Sequence, residues 1–286
     1  MLDSKISVYI PNYNGAEFLR SVNIPPGLDC VIMDNASTDN SVTVCKDRGF
    51  TVIQNSFTVS RVDNWIRCIE HFKNSEYDWL KWLFIGDELS PESGEMIRDA
   101  IEKNRDASLI VFEYDICSSK RKIRWKSQSS YSRHHTNAEI KEDIIHYGNI
   151  FGSPIGICLS RKAANAKLDL MELQWAADLW MCYTMSKEGY TAFYEGCVGA
   201  FNEKNRKCYS KNSSEISSYL EMLEVTRRVY IELKDEQILK EDCRKNFMTT
   251  MRKCLEHNSK SFSEILQMQL SVFKAISHKI LNKVGR

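Results

Sequence analysis

The sequence has no Cys-x-x-Cys pair, no Cys/His cluster at zinc-finger spacing, no run of 18 apolar residues and no excess of either charge. Each absence removes a class of protein. The ten cysteines, at positions 30, 45, 68, 117, 158, 182, 197, 208, 243 and 254, are too scattered for a zinc ribbon or a paired redox site. They read as buried, reduced thiols of a cytosolic protein. Without a long apolar run no membrane-spanning helix is expected, and residues 1–5 lead straight into a strand pattern with no room for a signal peptide. The expected location is the cytoplasm. Thirty-nine basic against 38 acidic residues leave a formal net charge of +1, which excludes a nucleic-acid binder that relies on bulk electrostatics. Any cationic function has to be local. There is no internal repeat or low-complexity tract.

What is present is a composition of 43% apolar and 27% charged residues over 286 positions, enough for one large globular domain with a helical appendage. Two short β-runs end in polar residues. Ile6-Ser7-Val8-Tyr9-Ile10 leads into Pro11-Asn12-Tyr13-Asn14-Gly15, and Cys30-Val31-Ile32-Met33 into Asp34-Asn35-Ala36-Ser37-Thr38-Asp39. Such residues are ordinary turn chemistry taken singly, but beyond the carboxyl ends of parallel strands they stand where open α/β sheets bind ligands. A helix over residues 41–49 and a strand over 50–54 complete a β-α-β-α-β rhythm, which predicts a parallel sheet with crossover helices. Further elements are expected as helices at 63–72, 93–103, 139–147 and 175–187, the last closed by Gly189, and strands at 79–85, 109–114, 155–159 and 190–194. Residues 118–133 read as a hairpin or mobile loop, and His134-His135 as surface. From residue 213 the pattern is helical.

Three more segments carry candidate chemistry. Arg61-Val62-Asp63-Asn64 opens a helix that leads to Ile85-Gly86-Asp87-Glu88-Leu89-Ser90-Pro91; Gly152-Ser153-Pro154-Ile155-Gly156 precedes a strand; and Trp175-Ala176-Ala177-Asp178 opens a helix. Together with the two strand ends, these segments resemble the family 2 glycosyltransferases over roughly residues 6–207. The resemblance implies a GT-A fold: a mainly parallel Rossmann-like sheet flanked by helices, with residues 1–115 as the nucleotide-sugar half and 116–212 as the acceptor half. Residues 213–286 then form a helical extension the resemblance does not cover.

It also implies roles. Pro11, Asn12, Tyr13, Asn14, Asp34, Asn35, Arg61, Asn64 and Gly86 would bind the nucleotide sugar, and Gly152, Pro154, Gly156 and Trp175 would form the acceptor side. Asp178 would be the general base, since a carboxylate within hydrogen-bond reach of the acceptor hydroxyl can take its proton. Asp87 and Glu88 would hold Mg²⁺ or Mn²⁺ on the donor's diphosphate. Gly86 stands where the family has a second aspartate, so a weak or dispensable metal is expected. The family's later histidine is missing too; Lys204, Arg206 and Lys207 follow instead as diphosphate partners or as a solvated basic loop.

The activity so implied is transfer of a sugar from a nucleotide-sugar donor to a glycan or lipid-linked acceptor with inversion, in bacterial surface polysaccharide synthesis. A catalytically inactive sugar-nucleotide binder is the alternative. A nucleotidyltransferase is disfavoured, because residues 11–15 hold one glycine and no basic residue to cradle a triphosphate. Ile265, Val272, Phe273, Ile276, Ile280 and Val284 fall on one helical stripe beside Lys274, Lys279, Lys283 and Arg286. That pattern suits attachment to an anionic membrane face, packing on the domain, or a dimer contact.

Overall fold

The computed structural model describes residues 4–129, 134–169, 173–203 and 215–233. Its first half is built from βα units. β1 (Ile6–Asn12), β2 (Asp29–Asp34), β3 (Thr51–Gln54) and β4 (Trp79–Trp82) lie parallel in the order β3-β2-β1-β4. The crossovers are α1 (Ala16–Ser21), α2 (Ser41–Asp47) and α3 (Arg61–Lys73). β1 is a near-continuous apolar run because both of its faces are covered, as expected of an inner parallel strand. Val8, Ile10, Leu19 and Ile32 are fully buried there, each contributing about 1.5–3 kcal/mol by leaving water. In α3 the apolar positions Val62, Trp65, Ile69 and Phe72 turn inward, and Ser60 caps the helix by accepting the Asp63 N–H at 3.1 Å.

The second half adds β5 (Glu88–Leu89), α4 (Ser93–Lys103), β6 (Ala107–Cys117), β7 (Lys122–Trp125), β8 (His134–His135) and α5 (Asn137–Tyr147). It closes with β9 (Ile157–Ser160), α6 (Ala177–Met185), β10 (Tyr190–Asn202) and α7 (Glu215–Leu233). The full strand order is β3-β2-β1-β4-β9-β6-β10-β5, with β7 on β6 and β8 on β10. β6 and β10 run parallel, whereas β9 runs antiparallel to both β4 and β6, so the sheet is mixed in this half. The expected division at residue 115 falls inside β6, and the two halves share the one sheet.

Several elements differ from the sequence reading. The strand expected over 79–85 leaves the sheet after Trp82: the Asp87 N–H bonds the Phe84 carbonyl at 2.9 Å, and Gly86 takes φ +95°, which turns the chain. Residues 154–156 form a 3-10 turn, and the strand begins at Ile157. α6 begins at Ala177 rather than 175, and Gly189, at φ −176°, is extended rather than a left-handed cap. Residues 118–125 form the hairpin of the two expected options; Arg124 Nε bonds Asp115 at 2.6 Å and Lys126 pairs with Glu113 at 2.9 Å. His135 is buried at 1% exposure, 3.3 Å from Asp143, while His134 stacks on Tyr190. Among the described residues all seven cysteines are free thiols, five of them buried.

The compact unit that holds this sheet spans Met1–Lys234 and so includes α7. Val225 and Val229 of α7 are fully buried, and Glu232 accepts the Tyr183 hydroxyl at 2.5 Å and pairs with Lys187 at 2.8 Å. A second unit, Asp235–Arg286, lies outside the described residues together with the C-terminal basic stripe.

Candidate functional site

A cleft of about 1580 Å³ opens at the carboxyl ends of β1 and β2, and both halves of the sheet line it. Pro11, Asn12, Tyr13, Asn14, Asn35, Arg61, Asn64, Gly86, Glu88, Gly152, Pro154, Trp175 and Asp178, all expected site residues, border it together. Asp34, Asp87 and Gly156 do not.

Asp34 is wholly buried because its carboxylate organises the strand ends. Its oxygens accept from Asn12 Nδ2 at 2.7 Å, the Ser37 N–H at 3.0 Å and the Ser37 hydroxyl. Asn14, at φ 52°, accepts the Thr38 N–H at 2.8 Å and so ties the two polar loops together. A second network holds the next loop. Asn35 exchanges two hydrogen bonds with the Val59 backbone, both 2.9 Å, and Asn55 Nδ2 donates to the carbonyl oxygens of Asn35 at 3.0 Å and Asn64 at 2.9 Å. Asn64 in turn donates to the Met33 carbonyl at 3.2 Å. Asn35 and Asn64 therefore shape the wall formed by Thr58, Val59 and Ser60. Asn55 escaped the sequence reading, although it follows the end of β3 just as Asn35 follows the end of β2.

Arg61 sits in the first turn of α3 with its guanidinium 4.9 Å from the Trp65 ring and 5.4 Å from the Trp175 ring, and it donates to the Gln174 carbonyl. Cation–π contacts of this kind contribute about 0.5–1 kcal/mol each when exposed. Arg61 thus joins the β1–β4 half to the segment that precedes α6. Asp178, in the first turn of α6, is half-buried; its Oδ1 accepts the Leu179 N–H at 2.8 Å.

The end of the cleft bordered by Gly152 and Pro154 is aromatic. Tyr114 and Trp125 stack with ring centres 4.9 Å apart, Phe201 lies 6.4 Å from Tyr114, and the Tyr114 hydroxyl accepts the Ser153 N–H at 2.8 Å. Gly152 has φ +71°, and a Cβ there would meet the Trp125 ring at 2.6 Å. Gly156 serves packing instead, since a Cβ there would meet the Phe112 carbonyl at 2.8 Å. The sequence reading missed Tyr114, Trp125 and Phe201, whose clustering depends on strand pairing that no local pattern reveals.

The metal expectation meets a poor donor set. Asp87 is wholly buried beneath the Gly86 turn, on the side of the equally buried Lys81, whose ammonium donates to the Ile155 carbonyl. Burial pulls the Lys81 pKa down to about 8, against the opposing fields of Cys158 and Asp87. Glu88 alone of the pair reaches the cleft. Among the described residues no three His, Cys, Asp or Glu side chains gather as a metal cluster, so these residues do not fit a divalent ion held by the protein itself. The described lining carries Glu17, Glu88, Asp178 and Glu203 against Arg61. Lys204, Arg206 and Lys207 follow Glu203 directly and lie outside the described residues.

A parallel βα half whose strand ends open onto a cleft, continued by a mixed half that closes it, is the GT-A fold of the nucleotide-sugar glycosyltransferases. Solved structures agree. S. aureus TarS, residues 1–349 in complex with UDP-GlcNAc, superposes with a TM-score of 0.62 at 12% identity, over 92% of this chain and 79% of that one. The mannosyltransferase PcManGT from Pyrobaculum calidifontis, in complex with GDP-Man and Mn²⁺, does so with a TM-score of 0.50 at 8% identity, over 95% and 81%. No protein-family model matches the sequence. No curated protein matches it either.

Proposed function

We propose that the protein transfers a sugar from a nucleotide-sugar donor to an acceptor hydroxyl with inversion. The observation that carries this reading is that one cleft is bordered both by the strand-end residues 11–14 with Arg61 and by Asp178 in the first turn of a helix. The nucleotide-sugar complexes of TarS and PcManGT, which have the same fold, support a donor of that class. In the step itself the acceptor oxygen bonds the anomeric carbon and gives its proton to the Asp178 carboxylate. The bond from that carbon to the phosphate oxygen breaks, and its electron pair leaves with the nucleoside diphosphate.

Asn12, Tyr13, Asn14 and Asn35 face the nucleotide, with Asp34 acting through Asn12 and Ser37. Arg61 helps to hold the nucleotide, and Lys204, Arg206 and Lys207, which lie outside the described residues, are assigned to the diphosphate from the sequence alone. Glu88 is one carboxylate offered to Mg²⁺ or Mn²⁺, too few for a tightly held ion, so no step is assigned to a metal. Gly152, Pro154 and Trp175 border the acceptor, a glycan or lipid-linked saccharide of a bacterial surface polysaccharide. The C-terminal basic stripe would bring the enzyme to the inner membrane face, and salt-reversible co-sedimentation with anionic vesicles is the measurement; indifference to such vesicles at low salt removes that role.

A thermal-shift screen across nucleoside diphosphates, followed by transfer assays with and without EDTA, tests the reading. Stabilisation by one nucleoside diphosphate and transfer from its sugar conjugate are expected, with only partial loss in EDTA. No stabilisation by any of them would sink it. Binding without turnover on any acceptor would leave the inactive-binder alternative, which the burial of Asp87 favours.

A further inference from the structure

The segment before α6 is held by a residue far away in sequence. Glu221, on α7, accepts the backbone N–H of Gln174 at 2.9 Å, of Trp175 at 2.5 Å and of Ala176 at 2.9 Å. Successive N–H groups of this kind form a concavity that binds anions. Here the anion is a side chain of the same molecule. The cap residue of α6, Ala176, has no side chain able to bond the helix start, and a carboxylate at a helix N-terminus is favoured by the aligned peptide dipoles. The clamped segment is tied to cleft-lining residues at three points. The Gln174 carbonyl accepts from Arg61, the Trp175 indole lies against the Arg61 guanidinium, and Asp178 follows two residues after Ala176.

We propose that Glu221 is a positioning residue of the site: its carboxylate sets the backbone of residues 174–176 and, through it, the placement of Arg61, Trp175 and Asp178. The kinetic consequence rests on the glycosyl-transfer reading; the structural one does not. α7 has its own anchorage apart from this clamp. Val225 and Val229 are buried, and Glu232 engages Tyr183, Lys187 and, at 3.6 Å, Lys141. Removing the Glu221 carboxylate therefore frees the segment without undocking the helix, and Glu232→Ala supplies a control that loosens the helix without touching the segment.

The test compares the full chain with Glu221→Ala, Glu221→Gln and Glu232→Ala. Amide hydrogen exchange at residues 174–176 is expected to quicken about tenfold or more in Glu221→Ala, to be intermediate in Glu221→Gln, which keeps a carbonyl acceptor, and to stay at the parental rate in Glu232→Ala. In transfer assays Glu221→Ala is expected to lower kcat about tenfold, as small misplacements of reacting groups do, with Glu221→Gln recovering most of it. Unchanged exchange at 174–176 in Glu221→Ala overturns the proposal. So does an equal fall of kcat in Glu221→Ala and Glu232→Ala at matched Tm. If the parent chain transfers no sugar, the glycosyl-transfer reading fails and the exchange measurement alone decides the clamp.

Discussion

The two sides of the cleft are assembled by different means. On the β1–β4 side the hydrogen bonds that shape the wall join consecutive βα units: Asn12 to Asp34 spans 22 residues, Asn55 to Asn64 nine, and Asp34 to Ser37 three. On the other side Ser153 reaches Tyr114 across 39 residues, Trp175 reaches Glu221 across 46, and Arg61 reaches Gln174 across 113. The first wall is a property of neighbouring loops. The second exists only once the whole sheet and α7 are in place.

The sharpest way to break this comparison is Asp178→Asn. It is expected to lower turnover about a hundredfold or more while nucleoside diphosphate affinity stays at the parental value, since a general base acts in the transition state and the residues proposed for the nucleotide lie on the other half. Near-parental transfer by the Asn variant would end the assignment of Asp178.

The seam between the halves offers a pH test. Lys81, on β4, bonds the carbonyls of Ile155 and Ile157 and has its pKa lowered from 10.5 to about 8. Between those values the unfolded chain binds more protons at this position than the folded one, so the lysine destabilises the fold at low pH and the penalty fades as pH rises from about 8 toward 10.5. Buried Cys30, Cys158 and Tyr9, with raised pKa values, bias stability the other way at high pH. The measurement is therefore the parent minus Lys81→Met, by urea unfolding across that window. The difference is expected to change by up to about 3 kcal/mol; a flat difference would mean that the ammonium is not buried.

Asp34→Ala has the smallest expected effect, about 1–3 kcal/mol in urea unfolding, because it removes the acceptor of the Ser37 N–H and hydroxyl and leaves the buried Asn12 Nδ2 only the Ser37 oxygen. Nucleotide affinity should fall with it, and kcat at saturating donor should hold. A loss of kcat with affinity intact would mean that the two walls are not separable.

The same contrast explains what the sequence made legible. The β-α-β-α-β rhythm, α3 and the 93–103 helix are carried by local periodicity, whereas the grouping of residues 11–14 with Arg61, Gly152 and Asp178 is implied by the resemblance to the family 2 glycosyltransferases. The errors arise where a distant partner decides. Leu83 to Ile85 are as apolar as a strand but leave the sheet, Leu83 into the core and Phe84 and Ile85 to the cleft; Gly156 is small because the Phe112 carbonyl passes it; His135 is buried by α5 and β10; and Glu221 looks like any solvated helix carboxylate until the Gln174–Ala176 backbone arrives. The resemblance implies a metal-holding Asp87; in the structure its side chain is buried and its charge is felt by Lys81.

The placement of β9 has a consequence for how the protein is made. Because this strand fills the gap between β4 and β6, both of those strands present an open edge until residue 160 has left the ribosome. A nascent chain of the first 115 residues has the complete β3-β2-β1-β4 layer yet ends in unpaired backbone, the state in which strands recruit one another between molecules. The late insertion ties the solubility of the growing chain to the arrival of one four-residue strand.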